Sequence, residues 1–386
     1  MTEPGQVPAG TVSAGPVPAS TVVIGTGLIG TSVALALRAR GVAVWLADHD
    51  DNALRLAVSL GAGQPRPPGG IPGGPADVAV LAVPPAAVAA ELRAAQERRL
   101  ACCYTDVASV KELPLAAARE LGCDMASYIP GHPLSGRERS GPAAARADLF
   151  TGRPWVLCPQ PANAETDVQL VAGLAAACGA LPLLVSAAEH DQWVALVSHA
   201  PHAVAAAMAA RLEDAPATAL ALAGQGLRDV TRIAASGTGM WVQILAANAG
   251  PASAVLRGVA ADLVLAADAL DSLATGDEAA AKQVADLLAR GSAGVSRIPG
   301  KHGGPTSEFS PGQAVIPVRP GELARLLAAA GEAGVNVEDI SIEHSPDLPV
   351  GVAELWVRPE AAPALASALA AAGWPIAGPA AGSITS

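Results

Sequence analysis

Three groups of residues in this chain have the types and spacing to do chemistry. Gly25, Gly27 and Gly30 form a G-x-G-x-x-G turn. Such a turn suits a pyrophosphate. The first glycine permits a tight bend, the second lets phosphates approach the backbone, and the third lets a helix pack close to the preceding strand. His132 lies in G-H-P-L-S-G-R-E-R-S-G, residues 131–141. Glycines and Pro133 fix that loop, and a histidine on a rigid loop beyond a sheet is well placed as a general base. Arg228 and Arg232 are four apart in an apolar stretch, with Asp229 in reach of Arg232 at i,i+3. Two guanidiniums on one helix face can hold carboxylates by paired hydrogen bonds. A solvated Arg-Asp-Arg face is the other reading.

Smaller signals accompany these. Ser109, in DVASVK, falls just after a strand, where doubly wound sheets place ligand contacts. It can hydrogen-bond His132 or a substrate, or simply cap a helix. Lys111 reads as a solvated helix residue. A further cluster joins His190 and Asp191 to Ser198, His199 and His202. Ser198 and His202 share a helix face at i,i+4, and Pro201 is expected to kink that helix. Core histidines satisfied by neighbouring backbone are the alternative.

The elements that must position these groups follow from the pattern. Val22 to Ile24 is a buried strand, Thr31 to Arg40 a helix, and Val42 to Ala47 a second strand ending in Asp48. A carboxylate there can bond both ribose hydroxyls of NAD and repel the 2′-phosphate of NADP. The expected cofactor set is Gly25, Thr26, Gly27, Leu28, Ile29, Gly30 and Asp48, with Val83 and Pro84 at the end of the strand ADVAVLAV. Strands at 101–106 and 154–159 alternate with helices at 51–61, 86–100 and 167–179. This alternation predicts an α/β fold, a Rossmann-type doubly wound parallel sheet, over residues 21–185. Residues 1–20, rich in Pro, Gly, Ala, Ser and Thr, read as a disordered tail. From 186 to 292 only alanine-rich helical stretches remain, an all-α substrate domain whose apolar excess suits a homodimer. A linker covers 293–313. Residues 314–386 read strand (314–318), helix (321–333), strand (337–344), strand (351–358), helix (361–372) and a short final strand, a βαββαβ unit.

Bulk properties exclude several classes. A net charge of −11 disfavours nucleic acid and anionic membranes. No uninterrupted apolar run reaches the roughly 20 residues that span a bilayer, and no signal peptide is visible. Cys102, Cys103, Cys123, Cys158 and Cys178 form no C-x-x-C pair and show no metal-ligand spacing. They read as small buried hydrophobes of a cytoplasmic protein.

Taken in order, VIGTGLIGTS, DVASVK, GHPLSGRERSG with DLFTGRPWVLCP, HDQWVALVSHAPHAVA and GLRDVTRIAASGTGMWVQILAAN resemble the prephenate and arogenate dehydrogenases of tyrosine biosynthesis, over residues 21–290. The stretch AVIPVRPGELARLLAAAGEAGVNVEDISIEH resembles the ACT regulatory module, although Val318 stands where that module often has an acid.

The resemblance implies an NAD-dependent oxidative decarboxylation of prephenate to 4-hydroxyphenylpyruvate. In that reading His132 accepts the hydroxyl proton and Ser109 orients His132 and the hydroxyl. His202, Ser198, Arg228, Arg232 and Trp241 line the substrate pocket, while Glu138 and Asp229 pair with arginines at its entry. Arg137 stands where many relatives carry a small polar residue, and Arg228 where some carry lysine. Both departures leave arogenate, or an amino-substituted prephenate, open as the substrate. The resemblance also implies tyrosine as an effector of the last domain. A non-catalytic amino-acid sensor is the reading from a different class.

Overall fold

The computed structural model describes residues 10–12, 15–135, 140–235, 237–298, 309–344 and 349–377. The chain divides into two compact units, residues 1–259 and 260–386.

The first unit opens with β1 (Gly10–Thr11), β2 (Ser20–Ile24), α1 (Leu28–Ala39), β3 (Ala43–Ala47), α2 (Asp51–Ser59) and β4 (Gln64–Pro65). Next come β5 (Ala76–Leu81), α3 (Pro85–Glu97), β6 (Ala101–Asp106), α4 (Glu112–Glu120), β7 (Tyr128–Ile129) and β8 (Gly131–Pro133). β9 (Pro154–Leu157), α5 (Glu165–Ala177) and β10 (Leu181–Leu184) complete its α/β part. Six strands form a parallel sheet in the order β4-β3-β2-β5-β6-β7. Counted along the chain this is 3-2-1-4-5-6, the Rossmann order. It reverses between β2 and β5, opening a crevice at the carboxyl ends of those strands. The apolar runs of β2 and β5 are buried, as a sheet covered on both faces requires.

The structure departs from two expectations. Pro154–Leu157 is not a further strand of the parallel sheet. It lies in a second, four-stranded sheet of order β1-β10-β9-β8, pairing parallel to β10 and antiparallel to β8. An apolar strand looks the same in either sheet, so composition did not separate them. Part of the stretch expected to be a disordered tail is also built in. Gly10 and Thr11 pair antiparallel with Leu184 and Leu183. Residues 15 and 16 lie on α5 so closely that a Cβ at Gly173 would sit 2.2 Å from the Pro16 carbonyl oxygen.

Helices take over at Ser186, whose hydroxyl and Glu189 form a capping box. They are α6 (Ala187–Val194), α7 (Ala200–Ala210), α8 (Ala217–Leu220), α9 (Gln225–Thr231) and α10 (Thr238–Ala247), followed by α11 (Ala249–Ala274), which crosses the division between the units. A π-helical turn, Ala195–His199, joins α6 to α7. By length and composition the helical run Ala187–Ala210 is apolar enough to cross a membrane, unlike the expectation from uninterrupted runs. It carries buried His190, Asp191, His199 and His202, polar groups that are rare and costly in a membrane-spanning segment.

The second unit holds α12 (Ala281–Ser296), which extends into the stretch expected to be linker. Then follow β11 (Ser310–Pro317), α13 (Glu322–Glu332), β12 (Asp339–His344), β13 (Val350–Val357), α14 (Ala362–Ala371) and β14 (Ile376–Ala377). The βαββαβ order is the expected one, and its four strands form an antiparallel sheet, β12-β13-β11-β14. Alternate residues of β13 are buried, and Leu326, Leu355, Val357, Leu365 and Trp374 form the core beneath.

Candidate active site

The glycine turn sits where the sheet order reverses. Gly25 has φ +96°, a conformation that side chains disfavour. A Cβ on Gly30 would lie 1.9 Å from the Gly25 carbonyl oxygen and 2.8 Å from the Ala82 Cβ, so only glycine lets α1 pack here. A Cβ on Gly27 would meet nothing within 4 Å. Gly27 is also the N-cap of α1, with no side-chain cap and no acid in the first turn. Uncapped N–H groups beside open space fit the pyrophosphate of a dinucleotide. Thr26 is buried and Leu28 and Ile29 are half-buried around the turn. Val83, half-buried, and Pro84, exposed, follow the carboxyl end of β5.

Asp48 ends β3 as expected, but its carboxylate is not free to hold two ribose hydroxyls. Thr26 donates to its Oδ2 twice, and the Asp50 N–H donates to Oδ1. Burial pushes this carboxyl up, and these hydrogen bonds outweigh burial and hold it below its ordinary value.

His132 lies on β8, one residue past Gly131, whose N–H reaches Asp106 at the carboxyl end of β6. His132 Nδ1 is 2.8 Å from His190 Nε2, and His190 Nδ1 is 2.7 Å from Asp191 Oδ1. Asp191 in turn accepts the Lys111 N–H at 2.8 Å on Oδ1 and the Glu112 N–H at 2.9 Å on Oδ2. Lys111 is the N-cap of α4 and has no side chain able to cap it, so Asp191 caps that helix from 80 residues away. Burial first, then His190, Lys111 and His199, hold His132 well below the ordinary histidine range. His190 is lowered by burial against the opposing pull of Asp191.

Lys111 is not a solvated helix residue. It is fully buried; its Nζ bonds Asp106 Oδ1 and the Gly131 carbonyl oxygen. Asp106 also accepts the Tyr128 hydroxyl at 2.6 Å and the Ala108 N–H at 2.8 Å. This buried hub ties the strand that carries His132 to the end of β6. Among the described residues, Ser109 makes no hydrogen bond with His132; His190 takes that place.

A second group lies on α7 and α10. The His202 and Trp241 rings stack at 3.6 Å with an interplanar angle of 6°. Asn248 Nδ2 donates to the Asp191 carbonyl oxygen at 2.7 Å and lies 3.0 Å from His199 Nδ1. Burial lowers both His199 and His202. The π-turn adds a residue between α6 and α7, so Ser198 is exposed while His199 and His202 are buried. Ser198 is therefore separated from the histidine it was expected to accompany.

Arg228 on α9 and Arg232, which opens a 3-10 turn, are both exposed rather than on one continuous α-helical face. Their elements pack against α7, the helix that carries His202. Asp229 bonds Gln225 at 2.7 Å instead of Arg232. Arg137 and Glu138 lie outside the described residues.

Nothing in the isolated sequence paired His132 with His190. The adjacency of His190 and Asp191 was the available signal, since a carboxylate next to a histidine commonly orients it.

Residues 33–183 match the nucleotide-binding domain of prephenate dehydrogenase, and residues 186–279 match its dimerization domain. A probable prephenate dehydrogenase of Streptomyces niveus, NovF, is 38% identical over 350 residues, 89% of this chain and 95% of that one. This chain belongs to the prephenate dehydrogenase family. Its fold is that of the A. aeolicus prephenate dehydrogenase solved with hydroxyphenyl propionate and NAD+, at a TM-score of 0.61 and 24% identity over 72% of this chain and 98% of that one. The Synechocystis arogenate dehydrogenase is similar too, with a TM-score of 0.58 and 24% identity, covering 71% of this chain and 98% of that chain.

Proposed function

We propose that this protein is an NAD-dependent prephenate dehydrogenase, with His132 as the general base. One observation carries the reading: half-buried His132, bonded to His190 and held below the ordinary histidine range, stands beside the carboxyl edge of the sheet that bears the open glycine cradle. Family membership supplies the substrate class.

Prephenate carries a 4-hydroxyl, a ring carboxylate and a pyruvyl carboxylate. The cradle at Gly25–Gly30, with Asp48, would hold NAD, whose nicotinamide would supply the hydride acceptor for the carbinol carbon. His132 accepts the hydroxyl proton. Arg228 and Arg232, exposed and forming no ion pair among the described residues, suit the two carboxylates. A tight grip on the ring carboxylate would stabilise the ground state and slow its loss as carbon dioxide. The stacked His202 and Trp241 form an apolar wall with polar edges, suited to a dienol ring.

Assembly as a homodimer is part of this reading. Leu222, Val230, Met240 and Val242 are more than half exposed in the single chain, in the region matching the dimerization domain. All five cysteines are free, which suits a reducing cytoplasm. We assign the βαββαβ domain as ACT-like, with tyrosine as its effector. A cavity of about 230 Å³ there is lined by Val318, Arg319, Glu322, Leu323 and Ile342, offering both charges that an amino acid needs.

The test is a rate comparison of prephenate and arogenate, each with NAD and NADP, following the reduced nicotinamide. Turnover of prephenate with NAD, lost by a hundredfold or more in His132→Asn while NAD still binds, is the expected result. Turnover of arogenate alone would move the substrate assignment, and turnover of neither would leave the amino-acid sensor. Calorimetry with tyrosine checks the effector.

A further inference from the structure

We propose that His190 and Asp191 are positioning residues that fix His132 in one tautomer, with its proton on Nδ1 and its Nε2 free to take the substrate's proton. The inference rests on the reading of His132 as the base and goes one step further, to the device that holds the base ready.

Asp191 accepts two backbone N–H groups, one on each oxygen, so both oxygens act as acceptors. An ionised carboxylate has no proton to give. His190 Nδ1, at 2.7 Å, must then carry the proton. His190 is 1% exposed, and the charged groups around it are Asp191, Asp106 and the ammonium of Lys111. Burial of the ring opposes a second proton on His190 and outweighs the pull of the Asp191 carboxylate. Neutral His190 with a proton on Nδ1 has its lone pair on Nε2. The short contact to His132 Nδ1, at 2.8 Å, is then a bond that His132 donates. His132 is left with a bare Nε2.

The consequence is chemical as well as geometric. In water the neutral imidazole exchanges freely between tautomers, and one of them would present an N–H to the substrate hydroxyl. The two-residue brace removes that form. When His132 gains the hydroxyl proton on Nε2, its Nδ1–H···Nε2 bond to His190 becomes charge-assisted and strengthens. No further proton transfer is needed: the proton leaves the substrate oxygen and stays on His132. Asp191 is itself held by the N-terminus of α4, so the brace is anchored to the sheet domain. His199 and Lys111 also face His132, and each opposes a charge there.

The experiment is nitrogen-15 NMR of the histidine rings in the full-length protein, without substrate. The seven histidines give few enough signals to resolve, and the His132 set is assigned by its loss in His132→Asn. At pH 7.5 the wild type is expected to show His132 protonated at Nδ1 and bare at Nε2, as is His190's tautomer. In Asp191→Asn the amide can donate to His190 Nδ1, so both rings are expected to flip. Turnover should then fall on the order of a hundredfold or more with little change in KM, as when the equivalent carboxylate of a serine-protease triad is made an amide. Wild-type protein with His132 protonated at Nε2 overturns the proposal, with no variant required. So does Asp191→Asn with unchanged His132 signals. If instead the tautomers are as stated but His132→Asn retains turnover, the assignment of the base fails and the hydrogen-bonded brace stands.

Discussion

Thr26 donates to one oxygen of Asp48 twice, its N–H at 2.5 Å and its hydroxyl at 2.7 Å from Oδ2. With the Asp50 N–H on Oδ1 at 2.9 Å, three of the carboxylate's roughly four acceptor sites are filled from within the chain. Asp48 therefore braces the glycine turn; His49 Nδ1 lies 3.3 Å from its Oδ1, and under the proposed function the remaining site on that oxygen takes a ribose hydroxyl. Removing it should do two things at once. Asp48→Ala is expected to weaken NAD binding about tenfold or more, because a hydrogen bond to a charged group contributes about 1.5–3 kcal/mol. It should also narrow the preference over NADP. Calorimetric titration of both dinucleotides checks this, and an unchanged ratio of affinities would refute the role of Asp48.

The glycines separate folding from binding. Gly30→Ala forces a methyl group to within 1.9 Å of the Gly25 carbonyl oxygen, so α1 must move and stability must fall. Gly27→Ala meets open space. It should melt within a degree or two of wild type, yet bind NAD at least tenfold more weakly, because the methyl takes the place of the phosphates. Equal effects of the two variants on melting would contradict this division.

Much of this was legible in the sequence, for identifiable reasons. The glycine turn, the alternating elements and the βαββαβ unit rest on local periodicity and short spacing, which a chain displays directly. The brace on His132 joins residues 58 positions apart, and Asp191 caps a helix from 80 positions away. Neither relation has a local signature. Lys111 was misread because lysine is rarely buried; its partners, Asp106 and the Gly131 carbonyl, meet it only when β6 and β8 come together. Ser198 was misplaced because one π-turn shifts the helix register, and periodicity cannot announce an extra residue in a turn.

The Lys111–Asp106 pair is buried on both sides. Breaking such a pair leaves an uncompensated charge, so Lys111→Met is expected to cost about 3–5 kcal/mol. The double variant Lys111→Met with Asp106→Asn should recover part of that loss, because the stranded charge is gone. Denaturant midpoints of the three proteins give the comparison. If the double variant were no better than the single one, the cost would lie in lost packing or in the Gly131 contact instead.

The histidines of the site give stability a definite dependence on pH. His132, His190 and His199 are all held below the ordinary histidine range, burial being the first cause in each. In the unfolded chain they titrate near the usual ~6.5. Between that value and their lower folded values the unfolded chain binds more protons, so stability rises with pH across that window. Each such group contributes a slope of at most about 1.4 kcal/mol per pH unit. Denaturant midpoints should therefore fall as pH drops from 7.5 toward 5 and level off above 7.5. Asp48, lowered instead, contributes stability that is present above the carboxylate range and lost only in stronger acid, so it does not mask the effect. His199→Asn should flatten the profile while leaving the His132 brace in place. A midpoint that did not change from pH 7.5 to 5 would mean that these rings take up protons as readily folded as unfolded, and that the site is wetter than its burial indicates.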